Sequence, residues 1–155
     1  MSLLRWVDDL MQRLAWLPTA VLWAALVLIG IQASDRKPPF QILSVEPAAA
    51  RPGEIVVITA RVQRDTARDC SASMSRSVFD AQGRRTDYPV ARFSDSLIDR
   101  MEAAAPGMLK IAIVVPPNAV AGPAEVVSVL DYRCNRVHSF WPIEVTTVMP
   151  FTVLP

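Results

Sequence analysis

The chain has 155 residues, of which 52% are hydrophobic and 20% are charged, and its formal net charge is +1. This length allows one compact domain of about 100–150 residues. A near-neutral chain has no basic excess for a phosphate backbone, so we expect no nucleic-acid partner. One histidine and two cysteines are too few for a zinc site built from those residues. The low charge also excludes a largely disordered chain.

Residues 14–34 contain no charged side chain. A bilayer core about 30 Å thick needs roughly 20 helical residues, so this segment predicts a transmembrane helix. A cleaved signal peptide is the alternative, with Ala33 before the cut, but Ile31 is too large for that pattern and acidic residues interrupt the amino-terminal region. The side chains that we expect to anchor the helix are apolar or aromatic: Trp16, Leu17, Val21, Trp23, Leu26, Leu28 and Ile29.

The segments on either side of the predicted span differ in character. Apolar side chains recur at helical spacing through residues 1–13, which predicts an amphipathic lead-in at the membrane surface. The ordinary solvated start of a long helix is the alternative. Residues 35–39 are three charged residues followed by two prolines, which predicts a short, stiff linker.

From residue 40 onward, short β-rich runs alternate with proline and glycine turns, and this pattern predicts an all-β domain over residues 40–155. Residues 139–154 are extended, but Pro142 and Pro150 remove ladder donors, so we expect an edge or broken strand there. A single helical turn is predicted within residues 94–105. Strand number and turn spacing favour an Ig-like sandwich after one transmembrane helix. The other predicted strands span residues 40–46, 54–62, 71–80, 86–93, 108–115 and 124–133.

Cys70 and Cys134 are predicted to form a disulfide bond. The even cysteine count after a membrane anchor favours an oxidising compartment. We therefore expect the amino terminus in the cytoplasm and the domain outside the inner membrane. Two unrelated buried thiols in the cytosol are the alternative, since the charges that flank the span are nearly balanced.

No motif in the chain supports catalysis or a cofactor. Cys134, His138 and Met149 follow the order of a blue-copper loop, but such a site needs a second histidine. There is no nucleophile elbow, no Cys-x-x-Cys pair and no glycine-rich phosphate loop. We therefore expect a protein that is not an enzyme and holds no metal, with His138 at the surface or rim beside the disulfide.

Two sequence features are candidates for binding a protein partner. Arg84 and Arg85 follow the predicted hairpin turn, and a partner-binding loop is one role for such residues. Phe140 and Trp141 place large aromatic side chains near a predicted edge, where an interface competes with core packing. A further mixed-charge cluster is interpreted as a solvated face, with a partner-binding loop as the alternative; it comprises Arg61, Arg64, Asp65, Arg68, Asp69 and Arg76.

Three stretches resemble uncharacterised small single-span membrane proteins of tailed bacteriophages that carry a carboxy-terminal Ig-like domain. They are residues 68–71 (RDCS), residues 115–123 (VPPNAVAGP), and residues 134–136 with 140–143 (CNR and FWPI). These motifs are turns, a cystine and an edge strand, so the resemblance implies a phage or bacterial setting and no catalytic residue.

The sequence thus predicts a membrane-anchored, non-enzymatic binding or assembly module with the bilayer and an unidentified protein as partners. In a phage setting the partner would be an envelope, lysis, entry-blocking or virion component, and homo-oligomerisation stays open. The alternative is an accessory subunit of a larger membrane enzyme or transporter, with Trp23 and the small residues Ala20, Ala24 and Ala25 packing against it.

Overall fold

The structure is a computed structural model that describes residues 15–65, 67–93 and 107–155. The chain divides into two compact units, an amino-terminal one that ends at Arg36 and a second one over Lys37–Pro155. The predicted lead-in over residues 1–13 and the predicted helical turn within residues 94–105 lie outside the described residues.

Helix α1 spans Leu17–Ser34 and follows a turn at residues 15–16. Pro18 lies in the first turn, where its missing N–H costs no hydrogen bond, and at the other end the Ser34 hydroxyl donates to the Ile31 carbonyl at 2.8 Å. None of its residues is buried and its mean hydropathy is 1.8. Eighteen helical residues measure about 27 Å, so α1 is long and apolar enough to cross a membrane.

The second unit is built from β-strands, which confirms the prediction of a mostly β domain after one apolar helix. The strands form a three-stranded sheet in the order β1-β3-β6 and a five-stranded sheet in the order β2-β8-β7-β4-β5. Both sheets are curled, and the domain has the form of a half-barrel. The strands in the described residues are β1 (Phe40–Val45), β2 (Ala49–Ala50), β3 (Ile55–Arg64), β4 (Ser71–Phe79), β5 (Arg85–Phe93), β6 (Met108–Val114), β7 (Gly122–Arg133) and β8 (Ile143–Val153).

Alternation of side chains along the strands builds one hydrophobic core shared by both sheets. Val56 and Ile58 on β3 and Ile111 and Ile113 on β6 project from the smaller sheet. The larger sheet meets them with apolar residues of β4, β7 and β8, and the buried residues of these strands lie mostly at alternate positions. The period of two explains this pattern, because successive side chains point to opposite faces of a sheet. The core members from the larger sheet are Ala50, Val78, Ala124, Val126, Met149, Phe151 and Val153.

Strand β8 is continuous, which corrects the expectation of a broken strand. It pairs with β7 along its length, from Ile143 to Val153, and Pro150 lies opposite Glu125. The Thr152 N–H donates to the Ala48 carbonyl at 2.9 Å, on the side away from β7. Since backbone N–H groups alternate in direction, the Pro150 nitrogen faces the same side, and its missing donor removes no bond to β7.

The same edge of β8 explains strand β2, which lies in a stretch that the sequence presents as a turn. Ala49 and Ala50 pair in parallel with Thr152 and Val153. Two residues are too few to show a strand pattern in the sequence. The prediction of an edge strand is therefore right for most of β8, since only its last two residues pair with β2.

The two cysteines lie side by side at the same end of neighbouring strands. Their Sγ atoms are 2.10 Å apart and their Cα atoms 4.1 Å apart, which is disulfide distance. Cys70 directly precedes β4 and Cys134 directly follows β7, and Ser71 pairs with Arg133 across the ladder. The bond therefore joins two adjacent strands of one sheet.

We predict that replacing both cysteines, Cys70→Ser with Cys134→Ser, lowers the free energy of unfolding by about 4 kcal/mol, because the bond closes a long loop in the unfolded chain. Urea unfolding of the full chain measures this change. Reductant should bring the wild type to the midpoint of the double variant and leave the variant unmoved. A wild type whose midpoint ignores reductant would contradict the prediction.

Candidate binding site between the sheets

An apolar cavity of about 440 Å³ lies between the two sheets. Strands β1, β3 and β6 of the smaller sheet and β4, β5, β7 and β8 of the larger sheet contribute residues to its lining. A volume of about 300–1,000 Å³ is usual for small-molecule sites. The apolar side chains that line it come from both sheets: Phe40, Ile42, Val62, Ala72, Met74, Phe93, Met108, Leu109, Ile111, Leu130, Tyr132, Val145 and Met149.

Three polar side chains cross the wall of this cavity in a row. Arg76 on β4 pairs in register with Ser128 on β7, and Ser128 pairs with Thr147 on β8. All three line the cavity. On the same face of the sheet, the residues two positions before and after these three along their strands are apolar. On β7 they are Val126 before Ser128 and Leu130 after it. We call Arg76, Ser128 and Thr147 the polar row.

Two members of the polar row carry buried polar atoms without a partner among the described residues. These atoms are Arg76 Nε and Ser128 Oγ. Ser128 is 1% exposed, while Arg76 is half-buried. The Thr147 hydroxyl donates to the Ser128 carbonyl at 3.4 Å. A buried polar atom without a hydrogen-bond partner lowers the free energy of unfolding, so this arrangement is uncommon in the cores of native proteins.

Burial also shifts the titration of the cavity residues. It lowers the pKa of Arg76, since desolvation penalises the guanidinium charge. It raises the pKa of Tyr132 to about 12, because the phenolate would be the charged form. No acidic side chain occurs among the described lining residues, so the Arg76 charge has no counter-ion in this part of the cavity.

The position of Arg76 corrects its interpretation as part of a solvated face. Along β4, Arg76 occupies the same face as Ala72, Met74 and Val78, which are all buried. The signal was present in the sequence, because an alternating apolar run through a predicted strand places every second residue inside. The nearby arginines favoured a charged surface cluster, although the alternation along β4 places Arg76 on the inward face.

Arg84 and Arg85 lie at the hairpin between β4 and β5, and both side chains are engaged locally. The Arg84 Nη2 donates to the Gln82 side chain at 2.7 Å. The Arg85 Nε donates to Asp87 Oδ1 at 2.6 Å. The Ser77 hydroxyl also donates to that oxygen. Both hydrogen bonds lower the pKa of Asp87, and the bond from Ser77 has the larger effect.

The Asp80 carboxylate stabilises the hairpin by accepting backbone hydrogen bonds. Its Oδ1 accepts the backbone N–H groups of Gln82 and Arg84 at 2.9 and 3.0 Å, and its Oδ2 accepts that of Val120 at 3.1 Å. Gly83 adopts a φ of +73°, a conformation that suits glycine. Desolvation raises the pKa of Asp80, but the three backbone donors outweigh it and the net shift is downward.

Phe140 and Trp141 are 93% and 61% exposed and follow a short 3₁₀ helix over Val137–Ser139. They precede β8 at the disulfide end of the larger sheet, whereas Arg85 pairs with Phe79 at the opposite end. The structure therefore does not bring the two candidate partner-binding pairs together. It places the aromatic pair at the end where the chain enters the domain, because Phe40 packs against Tyr132 and Ile143.

His138 is fully buried, so the prediction of a surface or rim position is wrong. Its backbone N–H donates to Asn135 Oδ1 at 3.0 Å, and its ring Nε2 lies 3.4 Å from Asn135 Nδ2. The 3₁₀ turn folds the imidazole inward, which its place beside the disulfide does not reveal. Within residues 15–65, 67–93 and 107–155, no group of three or more potential metal ligands of the His, Cys, Asp and Glu types occurs.

Comparisons with known proteins give no family. No family model matches the sequence, and no curated protein matches it. Among solved structures, the sporulation control protein Spo0M from Bacillus subtilis is 15% identical, with a TM-score of 0.36 over 77% of this chain and 51% of that one. The alkylpurine DNA glycosylase AlkC from Pseudomonas fluorescens, solved with DNA containing an abasic site analogue, is 9% identical. Its TM-score is 0.37, over 82% of this chain and 33% of that one. This chain thus spans about half and one third of their lengths.

We predict that Asp80→Asn lowers the Tm of the full chain by a few degrees at neutral pH, since an amide nitrogen cannot accept the Val120 N–H. A depressed carboxyl pKa stabilises the fold above the unfolded-state value of about 3.9 and loses this effect as pH falls through the folded value. The gap between wild type and variant should therefore shrink below about pH 4. Glu125→Gln, on an exposed position of β7, is the control. A gap that stays constant from neutral to acid pH would contradict this role.

Proposed function

We propose that the protein is a single-pass membrane protein whose β-domain is a non-enzymatic binding module outside the cytoplasm. The observation that carries this proposal is α1, an apolar helix in which no residue is buried. The helix ends at Ser34, three residues before the β-domain begins at Lys37. An exposed apolar helix of this length is stable in a bilayer, where its backbone groups are satisfied internally.

The position of the domain outside the cytoplasm is supported by the cysteine pair. Cys70 and Cys134 lie at disulfide distance, and structural disulfides form and persist in oxidising compartments. With one span, a domain outside the inner membrane requires a cytoplasmic amino terminus. In this topology Lys37 begins the domain on the far side of the span. Its Nζ lies 4.0 Å from Asp65 Oδ2.

An Ig-like sandwich is proposed for the domain, and the strand order supports it. Strands β8-β7-β4-β5 match the order G-F-C-C′ of variable-type Ig domains, and β1-β3-β6 match A-B-E of the other sheet. The disulfide departs from the antibody pattern, which joins strands B and F across the two sheets. Here it joins β4 and β7 within one sheet, so the proposal concerns architecture alone.

The surface that best suits a protein partner is the exposed pair Phe140 and Trp141. Large aromatic side chains are enriched at protein interfaces and among their energetic hot spots. Phe140 at 93% exposure has almost no packing of its own in the domain. The hairpin arginines are the weaker candidates, because Asp87 already neutralises Arg85 and Gln82 holds Arg84.

The non-enzymatic role is part of this proposal. Ser128 is a buried hydroxyl in the cavity wall, and its cross-strand neighbours are Arg76 and Thr147, neither of which is a usual general base. The setting in a tailed phage is proposed on the resemblance of the turn and cystine motifs alone. An accessory subunit is the second candidate, in which Trp23 and the small residues Ala20, Ala24 and Ala25 of α1 pack against a neighbouring helix.

We predict that a photo-crosslinking amino acid at position 140 captures one stoichiometric protein in native membranes, because Phe140 projects from the fold. The same probe at position 125, on an exposed part of β7, is the control and should capture none. Trp141→Ala should reduce the yield about tenfold or more, as loss of an aromatic hot spot does. Gel shift and mass spectrometry of the adducts measure the result; an adduct of twice the chain mass indicates self-association.

A second arm separates the two candidates. Replacing residues 17–34 by an unrelated apolar helix should leave capture at position 140 intact if α1 is only an anchor. Loss of capture in this variant, with membrane insertion preserved, would replace the anchor model with a subunit that docks through its helix. Equal capture from positions 140 and 125 would contradict a defined aromatic interface.

A further inference from the structure

The polar row stands out because the other side chains of the larger sheet that line the cavity are apolar or aromatic; from the smaller sheet, Gln41 and Lys110 are the polar lining residues. Arg76 Nε and Ser128 Oγ are buried and have no partner in the described part of the chain. An arginine side chain only donates hydrogen bonds, and a serine hydroxyl can donate one. The complementary group is therefore an acceptor, and an anionic acceptor also offsets the charge of the half-buried guanidinium.

The neighbouring part of the cavity wall favours a ligand in which a hydrocarbon chain is attached to the acceptor group. Met74, Leu130 and Val145 lie one register step from the polar row on the side toward Phe93 and Phe40. Their side chains offer no hydrogen bond to a polar ligand. A molecule that satisfies both parts carries one acid group and a flexible hydrocarbon chain.

We infer that the cavity binds a single-chain fatty acid. Its carboxylate accepts hydrogen bonds from Arg76 and Ser128, and its alkyl chain fills the apolar cavity toward Phe93. Thr147 is a positioning residue, since its hydroxyl bonds the Ser128 carbonyl. This inference rests on the proposed function, because the bilayer that holds α1 is the source of the ligand. Pro38, which lines the cavity, comes only four residues after the last residue of α1.

The experiment uses the full chain in membranes and a fatty acid that carries a photoreactive diazirine and an alkyne tag. After irradiation, tagged peptides from β4 and β7 report the cavity, while tagged peptides from α1 report contact with the bilayer. We expect both sets to be labelled and excess palmitate to remove the cavity label. The matched fatty alcohol, which lacks the acid group, should label α1 equally and the cavity weakly.

Variants test the polar row directly. Arg76→Met should lower the ratio of cavity label to helix label by about 10- to 100-fold, as loss of a charge-assisted hydrogen bond does. Arg76→Lys, which keeps the charge, should restore part of it. Arg84→Met, at the hairpin at the far end of the sheet, is the matched control and should change nothing. Ser128→Ala should weaken the label less than Arg76→Met.

Three results would overturn the inference. Equal cavity labelling by the acid and the alcohol would show that no acid group is recognised. Cavity labelling unchanged in Arg76→Met would exclude the proposed carboxylate site, and label confined to α1 would exclude the cavity as a lipid site. Cavity label without α1 label would leave the ligand in place and instead contradict the membrane anchor.

A stability measurement guards against a folding artefact. Because Arg76 Nε is buried and has no hydrogen-bond partner among the described residues, Arg76→Met should keep or raise the Tm of the ligand-free chain. A Tm lowered by many degrees would show that another part of the chain pairs with Arg76, and would overturn the inference by a route independent of labelling.

Discussion

The register of β7 against its two neighbours, β4 and β8, is the constraint on which the rest of the domain depends. Val126 lies between Val78 and Met149, and these buried side chains meet the smaller sheet. A slip of one residue would turn every inward side chain outward, so the core holds the register in place. The same register sets Cys70 beside Cys134 and aligns Arg76 with Ser128.

This arrangement explains how a stable sheet can carry an unfavourable feature. The apolar residues beyond Val126 form a continuous core, and the disulfide ties the other end of β4 to β7. The polar row lies between these two supports. A half-buried guanidinium whose Nε has no hydrogen-bond partner among the described residues reduces stability, and such costs are typical of positions kept for binding rather than for packing. The ligand proposed for the cavity would remove that cost.

Much of the fold was accessible from the sequence, because the signals were local. Strand predictions over residues 71–80 and 108–115 agree with β4 and β6 to within one residue, since β-branched or alternating runs end at turn residues there. The apolar helix was equally clear. The pairing of Ala49 and Ala50, the continuity of β8 through Pro150 and the burial of His138 depend on contacts between distant segments, which a local pattern does not contain.

The candidate site was less accessible than the fold. Phe140 and Trp141 are exposed in the structure, and their role in binding a partner stays a prediction. Arg76 was misread, because composition suggested a charged cluster while strand alternation placed the side chain inside. The cavity could not be predicted, since it arises from the separation of two curled sheets.

The central claim is that the β-domain lies outside the cytoplasm behind a membrane anchor. Counting free thiols in acid-quenched cells tests it most directly, by alkylating the denatured chain with a mass-tagged maleimide before and after reduction. We predict no tag before reduction and two tags afterwards, all in the membrane fraction, because Cys70 and Cys134 are joined. Two tags without reductant would place the domain in the cytoplasm and contradict the account.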